Sequence, residues 1–379
     1  MGSLPNASVT SLMAAMGHEQ VVFVADKSAG LRGVIAIHST ALGPSLGGVR
    51  FWHYTTEHDA LVDALRLSEA MSLKASAAGL HQGGGKAVAM WDEPDRPRPR
   101  ELLHALGRAL DDLGGRYIAA EDVGATTADM NGLAEITPWV TGVDEARGGS
   151  GDPSPVTALG VEHAMRAVFD ALDGEPSLLG RRIVIQGSGH VGSHLARSLV
   201  AQGALVTVAD LFEERARHLA AELDVEVVSV GEALFVPCDV VAPCALGSVF
   251  DDDTIPRLRC RAIVGAANNQ LASEGADRAL AARGILYAPD FVVNAGGIIN
   301  LAEEFTGYNR ERALARTAGI GETTAKVLAL AAEESITPLR AAERLARRRI
   351  AEEGKGRRWR PGDPAAWTNG QPLRAVRPR

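Results

Sequence analysis

The sequence predicts an α/β protein of two domains, an N-terminal mixed-sheet α/β domain and a doubly wound parallel-sheet domain, with a cleft between them. Three observations carry this. The chain has 379 residues, a length that suits two domains. Residues 182–210 run strand, GxGxxG, helix, strand, acid, the order of a Rossmann-like dinucleotide-binding unit. Well before it, Gly79-Leu80-His81-Gln82-Gly83-Gly84-Gly85-Lys86 delivers a single lysine from three consecutive glycines, and an apolar run follows from Ala87 to Trp91.

Bulk properties exclude several classes. Apolar residues make up 46% of the chain, enough for sizeable cores and too many for a disordered or fibrous protein. A net charge of −8 speaks against a nucleic-acid partner. The basic residues concentrate in 355–379, where Pro361, Pro364, Pro372 and Pro378 also fall, so this segment is expected to be a disordered tail. The three cysteines, Cys238, Cys244 and Cys260, make no CxxC pair, which gives no zinc site and fits a reducing compartment. No signal-peptide pattern or membrane-length apolar run is present. The expectation is a soluble, cytoplasmic protein without metal, membrane or nucleic-acid partner, and a homo-oligomer.

Taken in order, residues 1–20 read as a loose start or short helix, and Leu31–His38 as a β-branched strand. Leu42–Arg50 holds too many glycines for an element interior and reads as a loop, in which Gly47-Gly48 could offer bare N–H groups to an anion. Thr56 and Asp59 form a capping box, and apolar spacing carries the helix to about Lys74. On spacing alone Lys74 is a solvated helix-end lysine. Lys86 reads either as a cation held at the lip of a buried strand or as a solvated lysine in a glycine-rich turn. Residues 99–113 form an amphipathic helix. The strand Tyr117–Ala120 then ends at Glu121-Asp122-Val123-Gly124, which either aims an acid into a cleft or makes a simple turn.

A hinge-like linker, Gly148 to Pro155, marks a change of composition. We expect domain one over 1–145, completed by C-terminal helices at about 331–354, and domain two over 146–330. After the strand Arg182–Gln186 come Gly187-Ser188-Gly189-His190-Val191-Gly192. These glycines permit a tight turn and let a pyrophosphate approach the helix N-terminus. Asp210 ends the next strand, where an acid accepts ribose hydroxyls and repels a 2′-phosphate. Leu211, Phe212, Glu213 and Glu214 supply no cation, so NAD is favoured over NADP. Further strands are expected at 239–243, 262–265 and 284–288, and helices at 309–333 and 337–353. Asn268, Asn269 and Asn294 stand at strand ends, where either nicotinamide contacts or ordinary turn chemistry would place them.

With these residues in view, the chain resembles the glutamate, leucine, phenylalanine and valine dehydrogenases, and most of all their valine and leucine branch. The resemblance spans about His18 to Arg348. It rests on Ile37–Pro44, Leu46-Gly47-Gly48, Met71–Lys74, Gly83–Lys86, Ala120–Gly124, Pro153–Thr157, the dinucleotide motif, Gly265–Asn269 and Ala288–Gly297. It implies reversible oxidative deamination of an L-amino acid by NAD to a 2-oxo acid, ammonia and NADH. It further implies that Lys74 binds the substrate carboxylate with the Gly47 and Gly48 amides, that Lys86 activates water, and that Asp122 shuttles protons. Thr157, Asn268 and Asn294 fall to the cofactor, and Asn294 also to the substrate. By the same resemblance Leu46, Ala120, Ile298 and Leu301 wall the substrate side chain. The first of these stands where glutamate-specific members carry a lysine, and Ile298 and Leu301 stand where leucine and valine enzymes usually have valine, which narrows the pocket. A small branched aliphatic amino acid is therefore expected, valine ahead of leucine and isoleucine. Asp152 replaces an expected asparagine and adds negative charge near the cofactor. The alternatives are phenylalanine as substrate or a catalytically silent regulator on the same fold, the latter disfavoured by the intact Lys74, Lys86 and Asp122.

Overall fold

The computed structural model describes residues 8–93, 96–245 and 247–359. Residues 1–7 and 360–379, the latter most of the expected tail, lie outside the described residues. The chain divides into two compact units. One holds Met1–Gly151, Leu301–Asn309 and the residues from Ala346 on, and the other Asp152–Asn300 and Arg310–Leu345.

The first unit runs α1 (Val9–Met16), β1 (Gln20–Asp26), β2 (Leu31–Ser39), β3 (Ser45–Trp52), α2 (Glu57–Ala77), β4 (Gly83–Met90), α3 (Arg100–Asp111), β5 (Tyr117–Glu121) and α4 (Thr127–Ala134). Its strands pair in the order β1-β2-β4-β3-β5. The β1–β2 and β2–β4 pairs are antiparallel, and the β3–β4 and β3–β5 pairs parallel, so the sheet is mixed. Successive side chains of a strand face opposite sides, and here both sides are covered. Val34, Ala36 and Val88 pack under Leu61, Ala64 and Leu65 of α2. Ile35, Ile37, Ala87 and Ala89 share the other core with Leu102, Leu106 and Leu110 of α3 and with Leu133 of α4.

Two readings of this unit are corrected. Residues 45–52 are a strand, not a loop, and the strand expected from Ala87 begins at Gly83. The glycines serve close packing inside strands. A Cβ at Gly84 would lie 2.1 Å from the Ser72 amide of α2, and one at Gly47 would lie 1.7 Å from the Gly85 carbonyl oxygen. None of Gly47, Gly48, Gly83, Gly84 and Gly85 has positive φ. The helix lies on the sheet, and two strands approach, where only hydrogen fits.

Beneath α2 sits a polar pair. His18 Nε2 meets Ser68 Oγ at 2.8 Å, His38 Nδ1 meets Ser72 Oγ at 2.7 Å, and the two rings stand edge to face at 4.9 Å. Burial, with the His38 charge, lowers the His18 pKa to about 4. The folded protein thus binds fewer protons here than the unfolded chain between the ordinary value of 6.5 and about 4. Stability from this site is complete above that window and is lost as pH falls through it. Thermal unfolding midpoints measured from pH 7 downward should fall across this window, and His18→Asn should flatten the decline; a midpoint unchanged by pH in the wild type would contradict the account.

The second unit comprises α5 (Ser154–Asp173), β6 (Arg182–Gln186), α6 (His190–Ala201), β7 (Leu205–Ala209), α7 (Glu213–Leu223), β8 (Glu226–Val227), β9 (Val240–Pro243), β10 (Ala262–Ile263), α8 (Ala276–Ala282), β11 (Leu286–Tyr287), α9 (Asp290–Val293), the start of α10 (Gly296–Ala302), α11 (Arg310–Glu334) and the first half of α12 (Pro338–Glu353). All six strands are parallel, in the order β11-β10-β9-β6-β7-β8. The chain winds outward from β6 to β8, then restarts at β9 on the other side of β6. That is the switch point at which such sheets open a crevice for a ligand.

The expected return to the first unit at about residue 331 comes later, at Ala346. Thr337 Oγ1 donates to Asp277 of the second unit, while Ser76 Oγ of the first donates to the Ala346 carbonyl. The expected disorder also does not begin at 355, because Trp359 is buried and its amide donates to Thr40 Oγ1.

Candidate active site

In the first unit the strands bring Lys86, Asp122 and Gly48 together. Lys86 lies within β4, inside the sheet rather than at its lip, and its side chain is 4% exposed. Its Nζ sits 2.8 Å from Asp122 Oδ2, just beyond the end of β5. β3 pairs Gly48 with Ala120 of β5, and a Cβ on Gly48 would lie 2.4 Å from Asp122 Cβ and 3.1 Å from Lys86 Nζ. Burial lowers the Lys86 pKa and the Arg50 charge adds to this, against the opposing pull of Asp122. Burial pushes the Asp122 carboxyl up, but the Lys86 and Arg50 charges outweigh it and hold the group below its ordinary value. An ionised carboxylate thus stands beside a lysine whose proton is loosened.

Arg50 was not singled out from the sequence. Its Nε donates to the same Asp122 oxygen at 2.8 Å, and its Nη1 to Asp63 Oδ2 of α2 at 2.8 Å. Asp63 is held further by the Tyr54 hydroxyl at 2.6 Å and Arg66 Nη2 at 2.9 Å. Tyr117, also unforeseen, is fully buried, and its hydroxyl reaches the Gly47 and Gly48 carbonyls at 2.7 and 3.0 Å while accepting from the Ala87 amide at 3.1 Å. One hydroxyl proton is shared by two carbonyls here. It fills the stretch where the β3–β4 ladder is interrupted between Leu46↔Gly84 and Val49↔Ala87. Because peptides are trans, the Gly48 amide points away from the Gly47 carbonyl and from Tyr117.

Lys74 occupies the last turn of α2, whose Ser72 amide lies against Gly84. Leu46 and Ala120 are buried in neighbouring strands, Leu46 opposite Ile118 and Ala120 opposite Gly48. Leu301 Cδ2 lies 3.6 Å from where a Cβ on Gly142 would stand. Its segment is tied down by Glu304, whose carboxylate accepts from Thr141 Oγ1, the Gly142 amide and the Ser150 amide. Ile298 and Asn294 are buried in the second unit.

That unit holds the dinucleotide motif between β6 and α6. Gly187 has φ 104°, and a Cβ on Gly192 would strike the Gly187 carbonyl oxygen at 1.8 Å, whereas Gly189 faces open space. Ser188 donates from its amide and hydroxyl to Asp210 Oδ2 at 2.7 and 3.1 Å, so the acid that ends β7 is fixed against the loop. Asn294 Nδ2 donates to Asn268 Oδ1 and the Ala266 carbonyl, while its buried Oδ1 has no hydrogen-bond partner among the described residues. Asn269 has positive φ and is a turn residue. Thr157 Oγ1 donates to the Pro153 carbonyl and lies 3.3 Å from a Cβ position on Gly297. His190 Nδ1 stands 3.7 Å from Asp152 Oδ2, an interaction that an asparagine at 152 would weaken. Beyond the acid, Arg215 stacks on Phe212, 4.4 Å from its ring centre.

A glycine-rich loop opening α6, space at Gly189, a fixed acid and an orphaned amide oxygen fit a dinucleotide with a carboxamide at one end. Among the described residues no cluster of histidine, cysteine and acidic groups could hold a metal, and no helix is long and apolar enough to cross a membrane.

Comparison with known proteins agrees. Residues 18–138 match the Glu/Leu/Phe/Val dehydrogenase dimerisation domain, and residues 148–212 and 208–357 match the Glutamate/Leucine/Phenylalanine/Valine dehydrogenase family. The chain is 46% identical to a leucine dehydrogenase of Thermoactinomyces intermedius over 88% of this chain and 91% of that one. It is 47% identical to a valine dehydrogenase of Streptomyces virginiae over 89% and 94%. The crystal structure of an L-tryptophan dehydrogenase from Nostoc punctiforme superposes with a TM-score of 0.81 at 38% identity, covering 90% of this chain and 98% of that one. The chain belongs to the glutamate/leucine/phenylalanine/valine dehydrogenase family of oxidoreductases.

Proposed function

We propose that the protein catalyses reversible NAD-dependent oxidative deamination of a branched-chain aliphatic L-amino acid, valine ahead of leucine and isoleucine. The observation that carries this reading is the pair of buried Lys86 and half-buried Asp122, 2.8 Å apart against a glycine. Lys74 and the backbone at Gly47-Gly48 hold the substrate carboxylate. Asp122 takes a proton from the substrate ammonium. The chemistry that bound NAD would supply is that of an acceptor for the hydride of Cα. Lys86 in its neutral form takes a proton from the water that attacks the resulting iminium carbon, Asp122 returns a proton to the nitrogen, and the carbinolamine hydroxyl gives its proton to solvent as the C–N bond breaks, so that ammonia leaves and the 2-oxo acid remains. Asn294, with its unpaired Oδ1, and Asn268 orient the nicotinamide amide, while Gly187–Gly192 and Thr157 hold the rest of the cofactor.

Leu46, Ala120, Ile298 and Leu301 offer hydrocarbon only, so a glutamate carboxylate would lose its water without gaining a cation. Valine and leucine differ by one methylene, worth about 1–3 kcal/mol of discrimination, so both should react. Asp210 favours NAD over NADP. NADH or NADPH formation at alkaline pH, measured with each L-amino acid, tests all of this together. Valine and leucine should lead, glutamate should be inert, and NAD should be preferred; faster turnover of phenylalanine than of valine, or equal use of NADP, would refute the corresponding assignment. The open edge of β1, with Phe23 54% exposed, is where a second copy would extend the sheet and make the homo-oligomer. The three unbridged thiols agree with a cytoplasmic setting.

A further inference from the structure

We propose that Arg50 is a positioning residue for Lys86: anchored by Asp63, it is the fixed counter-cation of Asp122 and thereby sets the pH at which Lys86 becomes the neutral base. The inference rests on the reading of Lys86 as that base.

Arg50 and Lys86 place their nitrogens on one and the same oxygen, Asp122 Oδ2, each at 2.8 Å. A carboxylate paired with a lysine alone binds the ammonium form and resists its deprotonation. When Lys86 loses its proton in the cycle, a half-buried Asp122 would be left without a counter-charge, at a cost. Arg50 removes that difficulty, because a guanidinium keeps its charge throughout the working pH range. It is also held from behind, by Asp63 Oδ2 at 2.8 Å, and Asp63 in turn is fixed by Tyr54 and Arg66. The row Lys86–Asp122–Arg50–Asp63 alternates in charge from a buried lysine to a partly exposed acid of α2. Burial first, then the Arg50 charge, lower the Lys86 pKa, while Asp122 and Asp63 raise it.

The elements around β4 also carry Arg32 on β2, Glu57, His58, Asp59 and Glu69 on α2, and Glu121 on β5, besides three groups closer to the site. His38 of β2 turns to Ser72, the Tyr117 hydroxyl of β5 is engaged with Gly47, Gly48 and Ala87, and Lys74 lies in the last turn of α2.

The test compares the wild type with Arg50→Gln, Arg50→Met and Arg50→Lys. Two readouts are needed: the pH dependence of kcat/KM for L-valine with NAD, and the pH dependence of Lys86 acylation by acetic anhydride, followed by mass spectrometry on the intact enzyme. The neutral replacements should move both the acidic limb of the rate profile and the acylation curve of Lys86 to higher pH by about one unit or more. Arg50→Lys, which keeps the charge, should leave both within a few tenths of a unit. An acylation curve that stays put or moves to lower pH in a neutral variant overturns the proposal, however much the plateau rate falls. Should neither neutral variant fold, Arg50→Lys decides: a curve at the wild-type position supports the proposal and a shift of a full unit overturns it. If the acylation curve moves but the rate limb does not follow it, Arg50 tunes Lys86 as stated and the assignment of Lys86 as the base is what fails.

Discussion

Lys86→Ala is expected to lower kcat for valine by on the order of a hundredfold or more, since it removes the group proposed to take a proton from the attacking water. The loss should extend over the whole pH range, because the Arg50 guanidinium on the same Asp122 oxygen does not deprotonate and cannot take over as base. Lys74→Ala should behave differently. Its proposed contact is to a carboxylate present in ground and transition states alike, so KM should rise with a smaller change in kcat. Steady-state kinetics of the two variants side by side check the division of roles. An identical signature from both would show that the assignment is wrong.

Gly48→Ala is expected to abolish most activity while changing no polar group. The added methyl would stand 2.4 Å from Asp122 Cβ and 3.1 Å from Lys86 Nζ, so carboxylate and ammonium must separate or β3 must shift. A displacement of about 1 Å among reacting groups costs roughly a hundredfold in rate. Overpacking at such a site costs about 1–3 kcal/mol in stability, so the variant should still fold. Activity together with the thermal midpoint decides the matter. A stable variant with wild-type kcat would remove Gly48 and its two neighbours from the site.

What could be read from the sequence was local. The GxGxxG loop, its flanking strands and Asp210 lie within one stretch, and the strand β6 was foreseen at Arg182–Gln186, as observed. Gly47-Gly48 was misread as a loop because glycine density is the usual sign of a turn. Here the glycines instead make room for the Gly85 carbonyl and for Asp122, neighbours supplied by distant segments. Arg50 carried no local signal either, since its partners lie 13 and 72 positions away. The capping pattern of α2 was legible, because Thr56 and Asp59 satisfy one another over three residues. The strand β1 and the burial of Trp359 were not, because both depend on surfaces made elsewhere in the chain.

The far end of α2 has a consequence for the order of events during synthesis. Arg349 Nη1 donates to the carbonyls of Ser76 and Leu80, closing the helix end that carries Lys74, across 273 and 269 positions of sequence. A chain emerging from the ribosome can form the sheet of the first unit early, for all its strands precede Asp122. The Ala78 amide caps the helix locally, on the Lys74 and Ser76 carbonyls, but the second donor to this end arrives only after Arg349 has left the exit tunnel, when the whole second unit has already been made. The lysine proposed to bind the substrate thus sits on a helix end whose last contacts are made after the second unit has been synthesised, not when the sheet of the first unit forms.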